Sequence, residues 1–268
     1  MARFIRVLTP LVLALAVLLA PGLVSGAHGQ SARSAPPELF YLALGDSVAS
    51  GADLADGAGY PGRLRHALAN AGNRPIRLVN RAQAGERSAG VIASQIGDIR
   101  AIQPELVTLT VGANDFLIPA FECASANLDD DPTTACSGSS LLLTVPTFER
   151  NLRTILHRLV TETGATVVVT TYFNPFPRGS HCAPGTTDVA LRFLNSAIAD
   201  AVAGIGHRGV LVDLAPVFEG REGREPAGWF ALSPSRIACT DIHPSANGHD
   251  AIARAIFGAL TPRLALGQ

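Results

Sequence analysis

Four short stretches, far apart in a chain of 268 residues, hold the residue types that serine-based acyl transfer needs. The first is Gly45-Asp46-Ser47, where the apolar run Leu42-Ala43-Leu44 gives way to small and polar residues. A serine hydroxyl is a weak nucleophile alone. It needs a base, a group that orients the base, and donors for the oxyanion that develops as a carbonyl is attacked. The other three stretches offer candidates: Gly85, then Gly112-Ala113-Asn114-Asp115, then Asp241-Ile242-His243-Pro244.

Each block alone has a plain structural alternative. Gly-Asp-Ser is a common turn after a strand, Gly85 is one of 26 glycines, and Asn114 is a good turn former or helix cap. The Gly-x-Ser-x-Gly elbow of α/β-hydrolases is not met, because Ala49 stands where its second glycine belongs. Taken together and in this order, the four blocks resemble the SGNH (GDSL-type) serine hydrolases, a family that includes secreted bacterial lipases and esterases. The resemblance covers nearly the whole chain beyond its first residues. It implies Ser47 as nucleophile and His243 as general base. The Ser47 N–H, the Gly85 N–H and the Asn114 side chain become the oxyanion donors, and Asp115 a brace between loops. It implies neither a metal nor an organic cofactor.

In one place the chain departs from that pattern. The family's last block, Asp-x-x-His, puts the orienting carboxylate three residues before the histidine, and here that position is Thr240. Asp241 lies two residues before His243, and residues two apart in an extended segment share a face, so Asp241 can reach the imidazole. The alternative is a backbone carbonyl near Thr240 holding the ring N–H, which leaves a Ser–His dyad. Of the other histidines, His66, His157, His181 and His207 have no such context. His249, six residues beyond His243, has a spacing that points to packing.

The elements that must position these residues follow from periodicity. Short apolar runs alternate with longer helical ones, the signature of an α/β fold with a mainly parallel sheet. Strands are predicted at 40–44, 76–80, 106–111, 166–171 and 210–212, and helices at 60–71, 145–162, 189–205 and 251–260. Val91, Ile92, Ile96 and Ile99 add a further helical spacing. Ser47, Gly85 and Asn114 each follow a predicted strand, and in open α/β sheets the carboxyl ends of strands are where ligands bind. The resemblance sharpens this to a three-layer α/β/α, flavodoxin-like architecture with five strands.

Composition bounds the rest. Hydrophobic residues make up 47% and charged ones 16%, with a formal net charge of −1, so a sizeable core is available and nucleic acid is not expected as a partner. All 21 basic residues are arginine, which excludes a Schiff-base lysine and a P-loop lysine. Residues 1–27 read as a secretory signal peptide: Arg3 and Arg6, an apolar stretch, then Ser25-Gly26-Ala27. The apolar run between Pro10 and Pro21 is short of the ~20 residues a spanning helix needs, so stable membrane insertion is not expected. Residues 28–37 read as a disordered segment and 38–264 as one catalytic domain. Cys123, Cys136, Cys182 and Cys239 suit two disulfides in an exported chain. Three pairings are open, and proximity favours Cys123–Cys136, leaving Cys182–Cys239.

The expectation is a secreted, monomeric serine hydrolase of small-molecule or lipid carboxylic esters. Phe116, Phe121, Tyr172, Phe173, Phe176, Trp229 and Phe230 fall in loops expected to line the site, which favours an acyl chain over a sugar. A carbohydrate acetyl esterase on the same fold is the first alternative. A non-catalytic binding domain is the second, and the intact Ser47, Asn114 and His243 argue against it.

Overall fold

Continuous β-branched and apolar character makes strands that can be buried on both faces, and the centre of the molecule is built from such strands. The computed structural model describes residues 37–116, 144–176, 186–222, 228–230 and 242–265, all within the compact unit Ala35–Gln268. Its five strands are β1 (Leu39–Gly45), β2 (Ile76–Asn80), β3 (Leu106–Thr110), β4 (Thr166–Thr170) and β5 (Gly209–Val212). They form one all-parallel sheet in the order β2-β1-β3-β4-β5. β3 is buried along its full length, whereas the edge strands β2 and β5 are only partly covered.

The helices that frame the sheet and the site include α1 (Ser47–Ser50), α2 (Tyr60–Gly72), α3 (Val145–Glu162), α4 (Thr186–Ala203) and α5 (Ala246–Ala265). α2 packs with α5 and α3 with α4, giving the two helical layers of a three-layer α/β/α sandwich. α3 shows why: Phe148, Leu152, Ile155, Leu156 and Leu159 are all buried, one apolar stripe at 3.6-residue spacing. Among the described residues no helix is long and apolar enough to cross a membrane.

Strand order decides where a site can form. β1 leads outward to β2, and the chain then returns past β1 to β3, so the connections leave β1 and β3 in opposite directions. The crevice outside their carboxyl ends is the topological switch point of such a sheet. Ser47 follows β1, and Gly112 to Asp115 follow β3.

Several sequence expectations need correction. The apolar positions 91–99 do not form one helix. A short α-turn (Ser88–Gly90) runs into a π-turn (Val91–Gln95), and a separate turn follows (Ile99–Ile102). A π-bulge re-aims a side chain, and here it turns the buried Gln95 onto the Gly45 peptide, accepting from Gly45 N at 2.8 Å and donating to Gly45 O at 2.9 Å. α2 runs one residue beyond its predicted end, to Gly72, and is capped by Asn73 in the left-handed region at φ 43°. The last helix starts at Ala246, earlier than the predicted 251, and Pro244 just before it bridges Phe230 in antiparallel fashion. The four cysteines and most of residues 119–146 lie outside the described residues.

Candidate active site

The setting of Ser47 is made by β1 and β3 approaching too closely for a side chain. At Gly45 the backbone takes φ +130°, and a Cβ there would sit 2.0 Å from Thr110 O, so only glycine fits. Asp46 N–H then donates to Thr110 O at 3.0 Å. The buried Asp46 caps α1, accepting from Val48 N at 3.0 Å as Asp does at helix N-caps. Ser47 is therefore the first residue of a helical turn. Its N–H has no intrahelical acceptor, and its side chain is half-buried. Behind it, Asn80 at the end of β2 donates to Ala49 O at 2.9 Å and steadies the turn.

The second loop is tied to the first. Pairing with β1 continues beyond β2 through Arg81 N to Ala43 O and Gln83 N to Gly45 O, at 2.9 and 3.0 Å. That registers the turn at Gly85, which takes φ +78° with space around its Cα. Glycine is favoured there for its backbone freedom alone. The third loop is tied to the second. Asn114 Nδ2 donates to Glu86 O at 2.9 Å, and Asp115 accepts from Ser88 N and Ser88 Oγ at 3.0 and 2.5 Å. An Asn amide has two hydrogens, so one remains for another acceptor. Asp115 braces loops as expected, and burial raises its carboxyl pKa against the opposing Ser88 bonds.

Asp46 is strongly perturbed by its buried setting. Burial pushes its carboxyl up to about 7, partly offset by the Tyr172 hydroxyl and the Val48 N–H, with Asp115 adding to the rise. Tyr172 OH donates to Asp46 Oδ2. Tyr172 is held in turn by Asn195, which donates to its carbonyl and accepts from its N–H, both at 2.8 Å. This removes Tyr172 from the expected substrate lining. Phe116, Phe173 and Phe230 are likewise core residues: Phe173 stacks on Phe218 and both meet Phe230 at a tilt, with centroids 3.9–5.4 Å apart. Of the six expected site aromatics among the described residues, only Phe176 and Trp229 keep partial exposure. Phe121 lies outside the described residues.

His243 arrives from the opposite end of the chain. Its position is set by Pro244 bridging Phe230 and by Ser245 N donating to Trp229 O at 2.8 Å. Its Nδ1 lies 2.5 Å from Asp53 Oδ2, and Asp53 belongs to the loop that leaves the turn carrying Ser47. The structure thus brings His243 to the segment following Ser47, and hydrogen bonds join the Ser47, Gly85 and Asn114 loops. Asp241 lies outside the described residues. His249 is buried, and its Nδ1 accepts from Tyr60 N at 3.1 Å, the packing role its spacing predicts. His66, His157 and His207 are exposed.

Such a layout, with a half-buried serine at a strand end, backbone and amide donors on adjoining loops and an imidazole delivered nearby, is the equipment of acyl transfer. A profile of the GDSL-like lipase/acylhydrolase family matches residues 43–251, most of the chain and all four blocks.

The chain belongs to that family.

Solved structures of GDSL hydrolases share the fold. An extracellular lipase from Streptomyces rimosus is 23% identical over 82% of this chain and 99% of its own, with a TM-score of 0.60. A phospholipase A1 from Streptomyces albidoflavus is 21% identical over 84% and 98%, at 0.59. A variant of an acetyl xylan esterase from Geobacillus stearothermophilus is 20% identical over 84% and 96%, at 0.57. No curated protein matches the chain at a significant level. Among the described residues no group of three or more His, Cys, Asp or Glu could hold a metal ion.

The residues that sequence reasoning missed are Asp53, Gln95, Tyr172 in its role under Asp46, and Asn195. Gln95 left a faint signal, a polar residue interrupting an apolar helical spacing. Asp53 left none, since it sits in an Asp- and Gly-rich turn like many others.

Proposed function

We propose that this GDSL-family hydrolase is an exported serine esterase that cleaves carboxylic esters through a Ser47 acyl-enzyme. Ser47 Oγ attacks the ester carbonyl while His243 Nε2 takes its proton. The Ser47 N–H, the Gly85 N–H and the remaining Asn114 N–H receive the oxyanion. Collapse of the tetrahedral intermediate expels the alcohol, which takes the proton back from His243. Water activated by the same imidazole then releases the acid and restores Ser47. Residues 1–27 act as the export signal in this reading.

The observation that carries the proposal is the hydrogen-bonded union of the Ser47, Gly85 and Asn114 loops, with His243 held against the loop that follows Ser47. The test is hydrolysis of nitrophenyl acetate, butyrate and palmitate by the protein and by Ser47→Ala. Turnover that disappears in Ser47→Ala is the expected result. Turnover retained in Ser47→Ala would remove the nucleophile assignment.

One observation favours a second reading of the substrate. Tyr172, Phe116, Phe173 and Phe230 are buried in the core, so the aromatic supply expected to receive an acyl chain is largely committed elsewhere. That leaves short acyl groups, including the acetyl groups of decorated carbohydrates, better placed than long chains. Activity confined to acetylated sugars would select this reading, and a rise in kcat/KM with acyl length would reject it.

A further inference from the structure

We propose that Asp53 is the residue that positions His243, a carboxylate supplied from the nucleophile's own loop and not from the histidine's side of the chain. The inference rests on the proposed roles of Ser47 and His243 and adds the group that makes His243 a base.

Asp53 Oδ2 stands 2.5 Å from His243 Nδ1. An ionised carboxylate can only accept, so the shared proton belongs to Nδ1 of the neutral imidazole and Nε2 keeps its lone pair. Nε2 is the nitrogen that a serine hydroxyl needs as its acceptor. When His243 takes that proton, the same carboxylate faces the new imidazolium and stabilises it.

The backbone around Asp53 supports a fixed placement. Asp53 adopts φ +67°, and only three non-glycine residues among those described lie in the left-handed region. Asp tolerates that region better than most residues, yet a conformation of this kind persists only where the surroundings hold it. Here Ala52 N donates to Ser47 O at 3.0 Å and Leu54 N to Gly51 O at 3.2 Å. Across the base of the loop Gly51 and Gly59 meet backbone to backbone. A Cβ on Gly51 would lie 2.9 Å from the Gly59 Cα, and one on Gly59 would lie 2.8 Å from the Gly51 Cα. The loop from Gly51 to Gly59 is thereby closed directly on the turn that carries Ser47, and one closed segment presents both the nucleophile and the orienter of its base. The Asp53 side chain is 56% exposed and that of His243 24%. Solvent screens the pair, so the effect is smaller than for a buried orienter.

The test compares Asp53→Asn, Asp53→Glu and Asp241→Asn with the parent protein, using three readouts. The first is kcat and KM on a nitrophenyl ester. Asp53→Asn is expected to lower kcat about 10- to 100-fold, less than the ~10⁴ seen for a buried orienter, with KM within about 2-fold. Asp53→Glu is expected to recover part of the loss. The second is the rate of covalent labelling of Ser47 by a fluorophosphonate, expected to fall in parallel with kcat. The third is the imidazole ¹⁵N spectrum, with His243 assigned by its absence in His243→Asn. The parent is expected to carry the proton on Nδ1, and Asp53→Asn to show a mixture with the Nε2-protonated form. Thermal midpoints report folding alongside. A merely structural Asp53 would leave the His243 tautomer unmoved.

An unchanged tautomer and unchanged kcat in Asp53→Asn would overturn the assignment, as would a loss confined to Asp241→Asn. If the parent turns over no ester, the proposed function fails by itself, and the ¹⁵N spectrum still decides whether Asp53 holds His243.

Discussion

His243 stands three residues before α5 and His249 in its first turn, and the structure assigns their protons in opposite ways. His243 Nδ1 faces a carboxylate, Asp53, which can only accept when ionised. His249 Nδ1 faces the backbone N–H of Tyr60, which can only donate. The first ring must therefore hold its proton on Nδ1 and offer Nε2 as a base. The second must leave Nδ1 bare and protonate Nε2, which has no hydrogen-bond partner among the described residues. Burial and the nearby Arg63 and His243 charges push the His249 pKa down to about 4, fixing a neutral ring. The chemistry open to each histidine is decided by the polarity of a single neighbour.

The sharpest way to break this comparison is to remove each ring. His243→Ala is expected to lower kcat on a nitrophenyl ester by about 10⁴-fold with its melting temperature preserved. His249→Ala is expected to leave kcat within a few-fold while the protein melts earlier. A His249→Ala protein that stays folded but loses activity would reverse the two roles.

Next in size is the oxyanion side of the site. Asn114→Ala removes an amide that also ties the Gly85 loop through Glu86 O. It is expected to cost about 3 kcal/mol of transition-state stabilisation, roughly 10²-fold in kcat, with little change in KM. A loss in KM alone would place Asn114 in substrate binding.

Smaller effects follow from the buried titratable groups, and their signs differ. The pKa of His249 is depressed in the folded state to about 4, so its contribution to stability is complete above the ordinary value near 6.5 and is lost as pH falls towards 4. His249→Gln should flatten the rise in the urea midpoint between those limits. The pKa of Asp46 is raised to about 7, so its contribution is complete below about 3.8 and is lost as pH climbs through 7. The Asp46→Asn variant should accordingly gain on the parent by up to about 1.4 kcal/mol per pH unit across that window. Between pH 4 and 6.5 the two slopes oppose, and either substitution should unmask the other.

Much of the architecture was legible because hydrophobic periodicity is a local property. The boundaries of β2 and α3 agree residue for residue with their spacing, and the alternation of strand and helix implied the parallel sheet that is observed. The π-turn at Val91–Gln95 was hidden, because its cause is the Gly45 peptide on another strand. The aromatic loops misled for a similar reason. Phe173 and Phe230 occur in loop sequence, but the core claims them by packing against Phe218.

The chain's own order of residues determined the family, the fold class and the blocks around Ser47, Gly85, Asn114 and His243, because the blocks are contiguous and their order along the chain is read without knowing how they meet in space. The tertiary structure alone decided which groups those residues meet. Asp53 reaches His243 across 190 positions, Tyr172 reaches Asp46 across 126, and Tyr60 reaches His249 across 189. A hydrogen bond depends on a few ångströms in space and on which partner holds the proton, and neither is encoded in separation along the chain.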